Sequence, residues 1–520
     1  MDLNYYGLSL WQKILVRLKL FFVGFGKGFF NFWVRIAKGI ARFFKGLFGI
    51  IRDYFVNFFR GNGITKTSYL IMGFGHFTRG QIIRGLMYLF IEVIYFAYLF
   101  LFNGQAYMLR FFISIFSANH KFGSFPKTDA WSDAYGAYIT VYDGDNSFLF
   151  LLYGLVAILL TAAFVVVYMA SVRESYKIEQ MRIIGKKPNT FKEDMKDLFD
   201  KKFHITLLAI PLLGVVIFTI VPLIAMILIA FTNYDQNTPL LTTLFEWVGF
   251  DNFQALFSSF GQKSGFGYTF IQVLIWTVIW AFFATFTNYF AGMLLAMLIN
   301  KKGIKFKKLY RTLFIATIAV PQFVSLLIMS TMLVSSDGVD TQNIGIITRL
   351  IYNVTGGKFF FNFSNNYIHT RIGVIIVNMW IGIPYTMRMC SGILMNIPAD
   401  LYESARIDGA SPARRFMKIT LPYMLFVTGP YLITQFIGNL NNFNVIYLLC
   451  GGGPGLMDKG YDPSAKGADL LVTWLYRLTT EENNYKLAAV IGILSFVVSA
   501  VFSLIIYNKS SAVKGEENFQ

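Results

Sequence analysis

Long apolar stretches alternate with short polar connections along most of this chain. About 20 apolar residues are enough to cross a bilayer as a helix, and eight stretches reach that length. They lie near 86–103, 148–170, 205–232, 269–299, 311–334, 372–395, 423–450 and 487–507. Because a membrane span must satisfy its own backbone amides, the pattern predicts an all-α integral membrane protein with eight transmembrane helices.

Composition supports this class, and the placement of charge predicts an orientation. Hydrophobic residues make up 55% of the 520 residues and charged residues 14%, which leaves too few polar side chains for a soluble surface of this size. Basic residues concentrate in the connections 171–203, 300–311 and 396–422, whereas Lys263 is the single basic residue of 233–268. Since Lys and Arg are enriched in cytoplasmic loops, we expect both termini and the three basic connections in the cytoplasm. The long connections 104–147, 335–371 and 451–486 are then expected on the outer side.

Residues 1–66 form a separate basic region, with eleven Lys or Arg against two Asp. On a helical wheel, nine of these cations share an arc of about 100°, and aromatic residues such as Phe21, Trp33 and Phe58 lie outside it. Such a helix would lie in the membrane surface, with its cations toward anionic head groups. Nucleic-acid binding is the alternative that the net charge of +18 raises. The segregated aromatic rings favour membrane lipid and no nucleic acid.

The connection 397–422 has the sequence IPADLYESARIDGASPARRFMKITLP. Pro398 suits a first helical turn, and Gly409 suits the left-handed position that ends a helix. Ser411 followed by Pro412 favours the start of a second helix. The sequence therefore predicts two short helices that meet at a bend, and Pro422 is expected to mark the entry into the seventh span. Such a helix pair on the cytoplasmic side could receive a push from another protein.

This connection resembles the EAA loop of ABC importer permeases, which reads E-A-A, three residues, G, nine residues, I-x-L-P. The matching residues are Glu403, Ser404, Ala405, Gly409, Ile419, Leu421 and Pro422, with Ser404 at the second position of the motif, where an alanine is usual. The segments NMWIGIPY (378–385), NLNNFNVIYLLCGGGP (439–454) and DLLVTWLYRL (469–478) resemble the MalF-type permeases of maltose and related oligosaccharide importers. The resemblance covers about 205–507, the last six spans, which in that family form the MalF/MetI-like permease core.

The resemblance implies one permease subunit of an ATP-driven sugar importer in the bacterial cytoplasmic (inner) membrane, without enzymatic activity or a cofactor of its own. In the family this loop docks on the ATPase, which implies that Glu403 pairs with a basic residue there and that Gly409 forms the turn. The alternative is that Glu403 is a solvated helix charge and Gly409 an ordinary helix end. The implied partners are a second, MalG-like permease subunit, a pair of ATPase subunits that bind ATP and Mg, an extracytoplasmic sugar-binding protein and an oligosaccharide.

Two polar stripes inside the spans are candidates for the substrate path. Gln435, Asn439 and Asn442 recur at i, i+4 and i+7, as do Asn378, Gly382 and Tyr385. Polar groups within a membrane face a cavity or another helix, and carboxamides and aromatic rings suit sugars. Hydrogen bonding between helices is the alternative. The residues that the resemblance implies as sugar contacts are Asn378, Ile381, Gly382, Tyr385, Gly438, Asn439 and Asn442.

The predicted division of the chain is a surface region (1–66), a region with two spans (67–203), the permease core (204–508) and a cytoplasmic tail (509–520). An importer permease for a polyol or a peptide is the main alternative function. An ion-coupled secondary transporter would call for inverted repeats and paired intramembrane carboxylates, and neither is evident. A membrane enzyme is disfavoured because no nucleophile–base or metal-ligand set is evident.

Overall fold

In a computed structural model of the chain, the described residues are 48–116, 127–132, 136–142, 147–235, 246–301, 303–335 and 344–509, with isolated positions between 34 and 46. They confirm the predicted all-α class, to which they add one two-stranded hairpin. The helices of the first part are α1 (48–60), α2 (Gly63–Thr67), α3 (Phe74–Phe77), α4 (Ile82–Leu101), α5 (Gly104–Phe116), α6 (Ser147–Ile183), α7 (Phe191–Phe199), α8 (Phe203–Val215) and α9 (Val221–Ile229). Those that follow are α10 (Asp251–Ser258), α11 (Phe266–Asn300), α12 (Lys307–Ala319), α13 (Gln322–Leu333), α14 (Ile346–Val354), α15 (Tyr367–Leu394), α16 (Ala399–Ile407), α17 (Pro412–Arg415), α18 (Leu421–Leu440), α19 (Phe443–Cys450), α20 (Leu471–Thr480) and α21 (Tyr485–Lys509).

Seven helices of the described residues are long and apolar enough to cross a membrane. They are Ile82–Leu101, Phe148–Ile183, Phe203–Ile229, Phe266–Asn300, Tyr367–Leu394, Pro412–Leu440 and Tyr485–Leu504. The bent pair α12 and α13 makes an eighth if it is counted as one span. The predicted number of eight spans holds under that count.

The predicted fifth span, 311–334, is not one straight helix. Its two halves, α12 and α13, meet at an angle of 91°. Val320 has extended backbone angles, and Pro321 precedes the first residue of α13. A proline lacks the amide that would continue the helix and disfavours helical angles in the residue before it. The bend therefore follows directly from the Val320–Pro321 pair.

The predicted seventh span, 423–450, begins and ends earlier than its apolar stretch indicates. The helix runs from Pro412 to Leu440, and α19 starts separately at Phe443. Asn442 stands between the two helices, and its side-chain oxygen accepts a hydrogen bond from the Val445 amide at 3.3 Å. Asn is a strong N-cap residue, so Asn442 starts a new helix where hydropathy alone predicts continuation.

The connection 104–147 was expected as an outer loop, and parts of it are regular. It contains α5 and an antiparallel hairpin of β1 (Lys127–Ser132) and β2 (Ala137–Tyr142). Lys127 pairs with Tyr142 and Ser132 with Ala137 at the two ends of the ladder. Helix α5 packs on α6, where Phe111 lies against Gly154.

Only the end of the predicted amphipathic region 1–66 falls among the described residues. There α1 is helical and leaves Phe48, Phe55 and Phe59 exposed. The earlier wheel positions, such as Phe21 and Trp33, lie outside the described residues. A surface position of this region in the membrane stays a prediction.

The chain forms two compact units. One is Met1–Ala225 with Leu240–Glu246, and the other is Met226–Pro239 with Trp247–Gln520. The division predicted from the sequence stays a prediction. In the first unit, short helices α2 and α3 pack against α6 through a buried polar network around Arg79 and Glu179.

The second unit is organised around the 35-residue helix α11. Helix α11 packs against α15 so closely that a Cβ atom on Gly292 would lie 2.1 Å from Thr386 Oγ1. Thr386 Oγ1 donates to the Asn288 carbonyl at 2.8 Å. Small residues at a helix crossing allow this approach in membranes. The pair α11 and α15 is the frame on which the candidate site is built.

Candidate functional site

A cavity of about 280 Å³ lies inside the second unit. Its walls come from α11, the start of α13, α15, α18 and Asn442. Six of the seven predicted substrate residues line it, namely Asn378, Ile381, Gly382, Tyr385, Asn439 and Asn442. Gly438 is not among the lining residues, whereas Gln435 of the predicted stripe is.

Helix α15 presents one polar face to this cavity. Asn378 is buried, and its Nδ2 lies 3.5 Å from the Ala284 carbonyl of α11. Tyr385 keeps 47% of its surface exposed. A Cβ atom on Gly382 would lie 2.2 Å from the Nδ2 atom of Asn288. Gly382 therefore leaves room for the Asn288 carboxamide beside the cavity.

The end of α18 supplies a second set of amides. Asn439 donates from Nδ2 to Thr285 Oγ1 at 3.0 Å, and Asn442 donates from Nδ2 to Asn439 Oδ1 at 3.1 Å. These bonds join α18 to α11 and to the start of α19. The predicted alternative of hydrogen bonding between helices is thus present, and the same amides also line the cavity. The two interpretations are compatible, because a carboxamide has more donors and acceptors than one bond uses.

Helix α11 contributes residues that the sequence reasoning did not select. Asn288 and Thr285 line the cavity, and Asn288 Oδ1 is buried without a hydrogen-bond partner among the described residues. Gln322, the first residue after the 91° bend, lines it as well. Thr285, Asn288 and Gly292 recur at i, i+3 and i+7 in an otherwise apolar span. The same search for a polar stripe, applied to the fourth span, would have found them.

The chemistry of the cavity wall is neutral and rich in hydrogen-bonding groups. Its lining residues in the described part of the chain include four Asn, two Gln, two Thr and two Tyr, and none carries a formal charge. Carboxamides and hydroxyls both donate and accept hydrogen bonds. Tyrosine rings add flat apolar surfaces with a polar end. The arrangement suits an uncharged ligand with many hydroxyl groups better than an ion.

The predicted pair of short helices between the sixth and seventh spans forms as expected. Helix α16 ends before Gly409, whose φ of 72° is left-handed. Ser411 then caps the next helix, and its Oγ accepts a hydrogen bond from the Arg414 amide at 3.3 Å. The Tyr402 and Thr420 hydroxyls lie 2.8 Å apart and tie the two helices together. The bend between α16 and α17 is therefore stabilised at two places, at the Gly409–Ser411 turn and at the contact between Tyr402 and Thr420.

The EAA-like residues divide into an exposed and a partly buried group. Glu403, Ser404, Gly409 and Pro422 are exposed, and Ala405, Ile419 and Leu421 are partly buried. Beside them Ile407 leaves 87% of its surface exposed. The Gly409 turn and the Glu403 carboxylate are therefore open to the surroundings of the chain.

Pro422 lies inside a continuous helix and is not the point where the span begins. The helix runs from Pro412 through a π-helical turn at Phe416–Thr420 into α18. The Leu421 amide donates to the Phe416 carbonyl, one residue further back than in an α-helix. A proline cannot donate to the carbonyl four residues earlier, and such turns accommodate that loss. The motif thus links the short helices directly to the span that carries Asn439.

Comparison with known proteins adds an independent line of evidence. Residues 288–510 match the family described as binding-protein-dependent transport system inner membrane component. The maltodextrin transport system permease protein MdxF of Bacillus subtilis (strain 168) is 35% identical over 377 residues, which cover 72% of this chain and 84% of that protein. The galactooligosaccharides transport system permease protein GanP of the same organism is 31% identical over 448 residues, covering 86% and 97%. The maltose/maltodextrin transport system permease protein MalF of Klebsiella aerogenes is 36% identical over 261 residues, covering 50% and 48%.

These relatives are permeases, which are transport components rather than enzymes. Identity above 30% extends over most of the length of two of them. The family match includes Asn288 of α11 and the whole of α15, α18 and α19, so it spans most of the cavity wall. The chain is a multi-pass membrane protein that belongs to the family of MalF-type permeases, the inner membrane components of binding-protein-dependent transport systems.

Proposed function

We propose that this subunit forms half of the translocation pathway of an ATP-driven importer for oligosaccharides, and that the 280 Å³ cavity binds the sugar. The observation that carries the proposal is the neutral, amide-rich wall formed by Asn288, Asn378, Asn439 and Asn442. Sugar hydroxyls both donate and accept hydrogen bonds, as these carboxamides do. Two relatives, the maltodextrin permease MdxF and the galactooligosaccharide permease GanP, support the same substrate class.

The size of the cavity limits what it can hold at one time. Ligand pockets in proteins commonly measure about 300–1,000 Å³, and this cavity of about 280 Å³ lies just below that range. We therefore expect a short sugar, or one end of a longer malto-oligosaccharide, to occupy it. The proposed sugar contacts are the lining residues Asn378, Ile381, Gly382, Tyr385, Asn439 and Asn442, to which Asn288 is added. A contact from Gly438, which does not line the cavity, stays a prediction from the family resemblance.

The exposed turn at Gly409 is proposed as the contact with the ATPase. Closure of an ATPase pair that binds ATP and Mg would push on α16, with Glu403 paired to a basic residue of that partner. The π-helical turn and α18 would carry this movement to Asn439, because one continuous helix joins them. A MalG-like second permease would complete the pathway, and an extracytoplasmic sugar-binding protein would deliver the sugar. This arrangement requires both termini and the basic connections to lie in the cytoplasm.

Uptake in proteoliposomes tests the substrate class. The full complex is reconstituted together with its cognate binding protein. It should import radiolabelled maltotriose only when ATP is present on the side of the membrane that carries the ATPase subunits. Sorbitol and a dipeptide represent the two alternative solute classes, a polyol and a peptide, and their uptake is measured in the same way. If either is taken up in preference to maltotriose, the sugar assignment is contradicted. Uptake that follows an ion gradient and ignores ATP would point to a secondary transporter.

Gly409→Asp tests the coupling role. The backbone at Gly409 has a φ of 72°, and no atom lies within 4 Å of a Cβ built there, so the new side chain would project into the space proposed for the partner. We expect the variant to insert normally and to lose sugar-stimulated ATP hydrolysis. Gly303→Asp is the matched control, because Gly303 has a φ of 90° with equally open surroundings in another basic connection. Normal stimulation of Gly409→Asp, or an equal loss in both variants, would remove the support for docking.

A further inference from the structure

A second cavity, of about 390 Å³, lies in the first unit where the long helix α6 ends. The cations Arg182, Lys186 and Lys187 line it together with Gln81 and the buried Arg79. This cavity shares no residue with the proposed sugar site. Its charge also differs, because the sugar cavity has no charged lining residue among the described ones.

The lining of the basic cavity combines two buried residues, Arg79 and Gln81, with the exposed cations Arg182, Lys186 and Lys187. Arg79 is 3% exposed and pairs with Glu179 at 3.2 Å. Arg182 donates from Nη2 to the Arg79 carbonyl at 2.5 Å, which fixes its guanidinium at the wall. Gln81 donates from Nε2 to the Asn189 carbonyl at 2.7 Å and ties the connection after α6 to the start of α4. These bonds fix the positions of Arg79, Arg182 and the Asn189 backbone in the cavity wall.

The nearby carboxylates are already engaged elsewhere. Glu179 pairs with Arg79, and Asp194 pairs with Arg84 at 2.7 Å. Glu193 accepts a hydrogen bond from the Thr190 amide at 2.7 Å as part of a helix-capping box. Among the described residues, none of these carboxylates forms an ion pair with the cations Arg182, Lys186 and Lys187. The cavity thus presents uncompensated positive charge to an external anion.

Apolar surface continues directly from the cavity. Ile82 and Ile83, which follow the cavity residue Gln81, are 53% and 49% exposed at the start of α4, a helix long enough to cross the membrane. Basic pockets beside the cytoplasmic ends of spans bind anionic head groups of lipids, and the acyl chains of a lipid bound here would lie along the apolar residues at the start of α4. We propose that this cavity binds the phosphate of an anionic phospholipid, such as phosphatidylglycerol. The proposal does not depend on which solute the permease carries.

Native mass spectrometry of the full-length chain tests this site. The protein is transferred into a polyoxyethylene detergent, which has no sugar head group, and titrated with phosphatidylglycerol, phosphatidylcholine or inorganic phosphate. We expect one phosphatidylglycerol to bind at least tenfold more tightly than phosphatidylcholine. Lys186→Gln with Lys187→Gln should weaken that binding about tenfold, because each cation near a lipid surface contributes measurably to anionic lipid affinity. Both lysines are exposed, so the fold should be retained.

The matched control removes the same charge from the adjacent helix. Lys192 and Lys196 of α7 are exposed and do not line the cavity. Lys192→Gln with Lys196→Gln should change phosphatidylglycerol binding less than twofold. An equal loss in both double variants would mean diffuse surface attraction and would overturn the site. Inorganic phosphate that binds as tightly as the lipid and displaces it would instead assign the cavity to free phosphate, and unchanged binding in the Lys186/Lys187 variant would exclude it altogether.

Discussion

A buried polar cluster around Arg79 in the first unit is more completely hydrogen-bonded than the wall of the sugar cavity in the second unit. In the first unit, Arg79 donates to the Ser175 carbonyl at 2.7 Å and to Thr65 Oγ1 at 2.6 Å, and it pairs with Glu179. Thr65 Oγ1 also donates to Glu179, so each group of this network has a partner. In the second unit, Asn288 Oδ1 is buried beside an open cavity without a partner among the described residues.

This difference separates a structural polar cluster from a binding one. Buried polar groups are normally paired, and a fully paired network rigidifies the fold around it. An unpaired amide beside a cavity retains hydrogen-bonding capacity for a ligand. Burial lowers the pKa of the Arg79 guanidinium, while Glu179 opposes that shift. The charged state of Arg79 therefore depends on Glu179. The amides of the cavity wall, by contrast, each keep some donors or acceptors that are not used in hydrogen bonds within the described part of the chain.

Arg79→Met should give the largest effect on stability. The substitution leaves the Glu179 carboxylate buried and without its cation, and breaking a buried ion pair in this way costs about 3–5 kcal/mol. The free energy of unfolding, measured by SDS titration of the purified chain, should fall by that amount. Sugar affinity of the folded fraction should not change.

The double variant Arg79→Met with Glu179→Gln serves as the control for that prediction. Because it removes both charges, most of the lost stability should return. A double variant no more stable than Arg79→Met would show that the pair does not act as a unit. A change in sugar affinity in either variant would show that the Arg79–Glu179 cluster and the sugar cavity are not independent of each other.

Gly382→Ala should show the reverse pattern, a large effect on sugar binding and a small one on stability. The added Cβ would lie 2.2 Å from Asn288 Nδ2 and would push a mobile side-chain end into the cavity. We expect the KM for maltotriose uptake to rise about tenfold, because a lost hydrogen bond to a buried polar group costs about 1–3 kcal/mol. Uptake at a series of sugar concentrations measures the change.

Gly392→Ala in the same helix is the matched control. No atom lies within 4 Å of a Cβ built on Gly392, and alanine is a better helix former than glycine. The control should leave KM unchanged and should not destabilise the chain. Equal KM values for the two variants would show that Asn288 does not take part in sugar binding.

The hydrophobic pattern predicted the spans well because the length of an apolar stretch directly reports whether it can cross a membrane. It misjudged the fifth and seventh spans, where local backbone chemistry decides. Pro321 bends one span by 91°, and Asn442 starts a new helix inside an apolar stretch. Both residues were visible in the sequence, but hydropathy averages over such single positions.

The candidate site was predicted in part. Periodicity found Asn378 and Asn439 because each lies in a polar stripe of one helix, and both line the cavity. It placed Asn442 on the same helix as Asn439, yet the two belong to different elements joined by a 3.1 Å hydrogen bond. Asn288 lies in a polar stripe of α11 together with Thr285, whereas Gln322 reaches the cavity through the bend before α13, which the stripe of a single helix does not reveal.

The Asn442 side chain has both a structural role and a proposed binding role, so its substitution tests whether the two roles can be separated at a single residue. Its Oδ1 caps α19 through the Val445 amide, and its Nδ2 donates to Asn439 Oδ1 at the cavity wall. Serine caps helices about as well as asparagine but lacks the Nδ2 donor. Asn442→Ser should therefore preserve the free energy of unfolding to within about 0.5 kcal/mol, because serine is an equivalent cap. It should weaken sugar affinity about fivefold, because one hydrogen bond contributes about 1 kcal/mol.

Asn442→Ala removes the cap and the cavity donor together. It should weaken sugar affinity as much as Asn442→Ser does and should additionally cost about 1 kcal/mol of unfolding free energy, because alanine cannot cap α19. SDS titration and uptake KM, measured on both variants, separate the two contributions. If sugar affinity is unchanged in both variants, Asn442 acts only as a helix cap. If the serine variant is as unstable as the alanine variant, the capping bond to Val445 contributes nothing, and stability at this position comes from the bond to Asn439 alone.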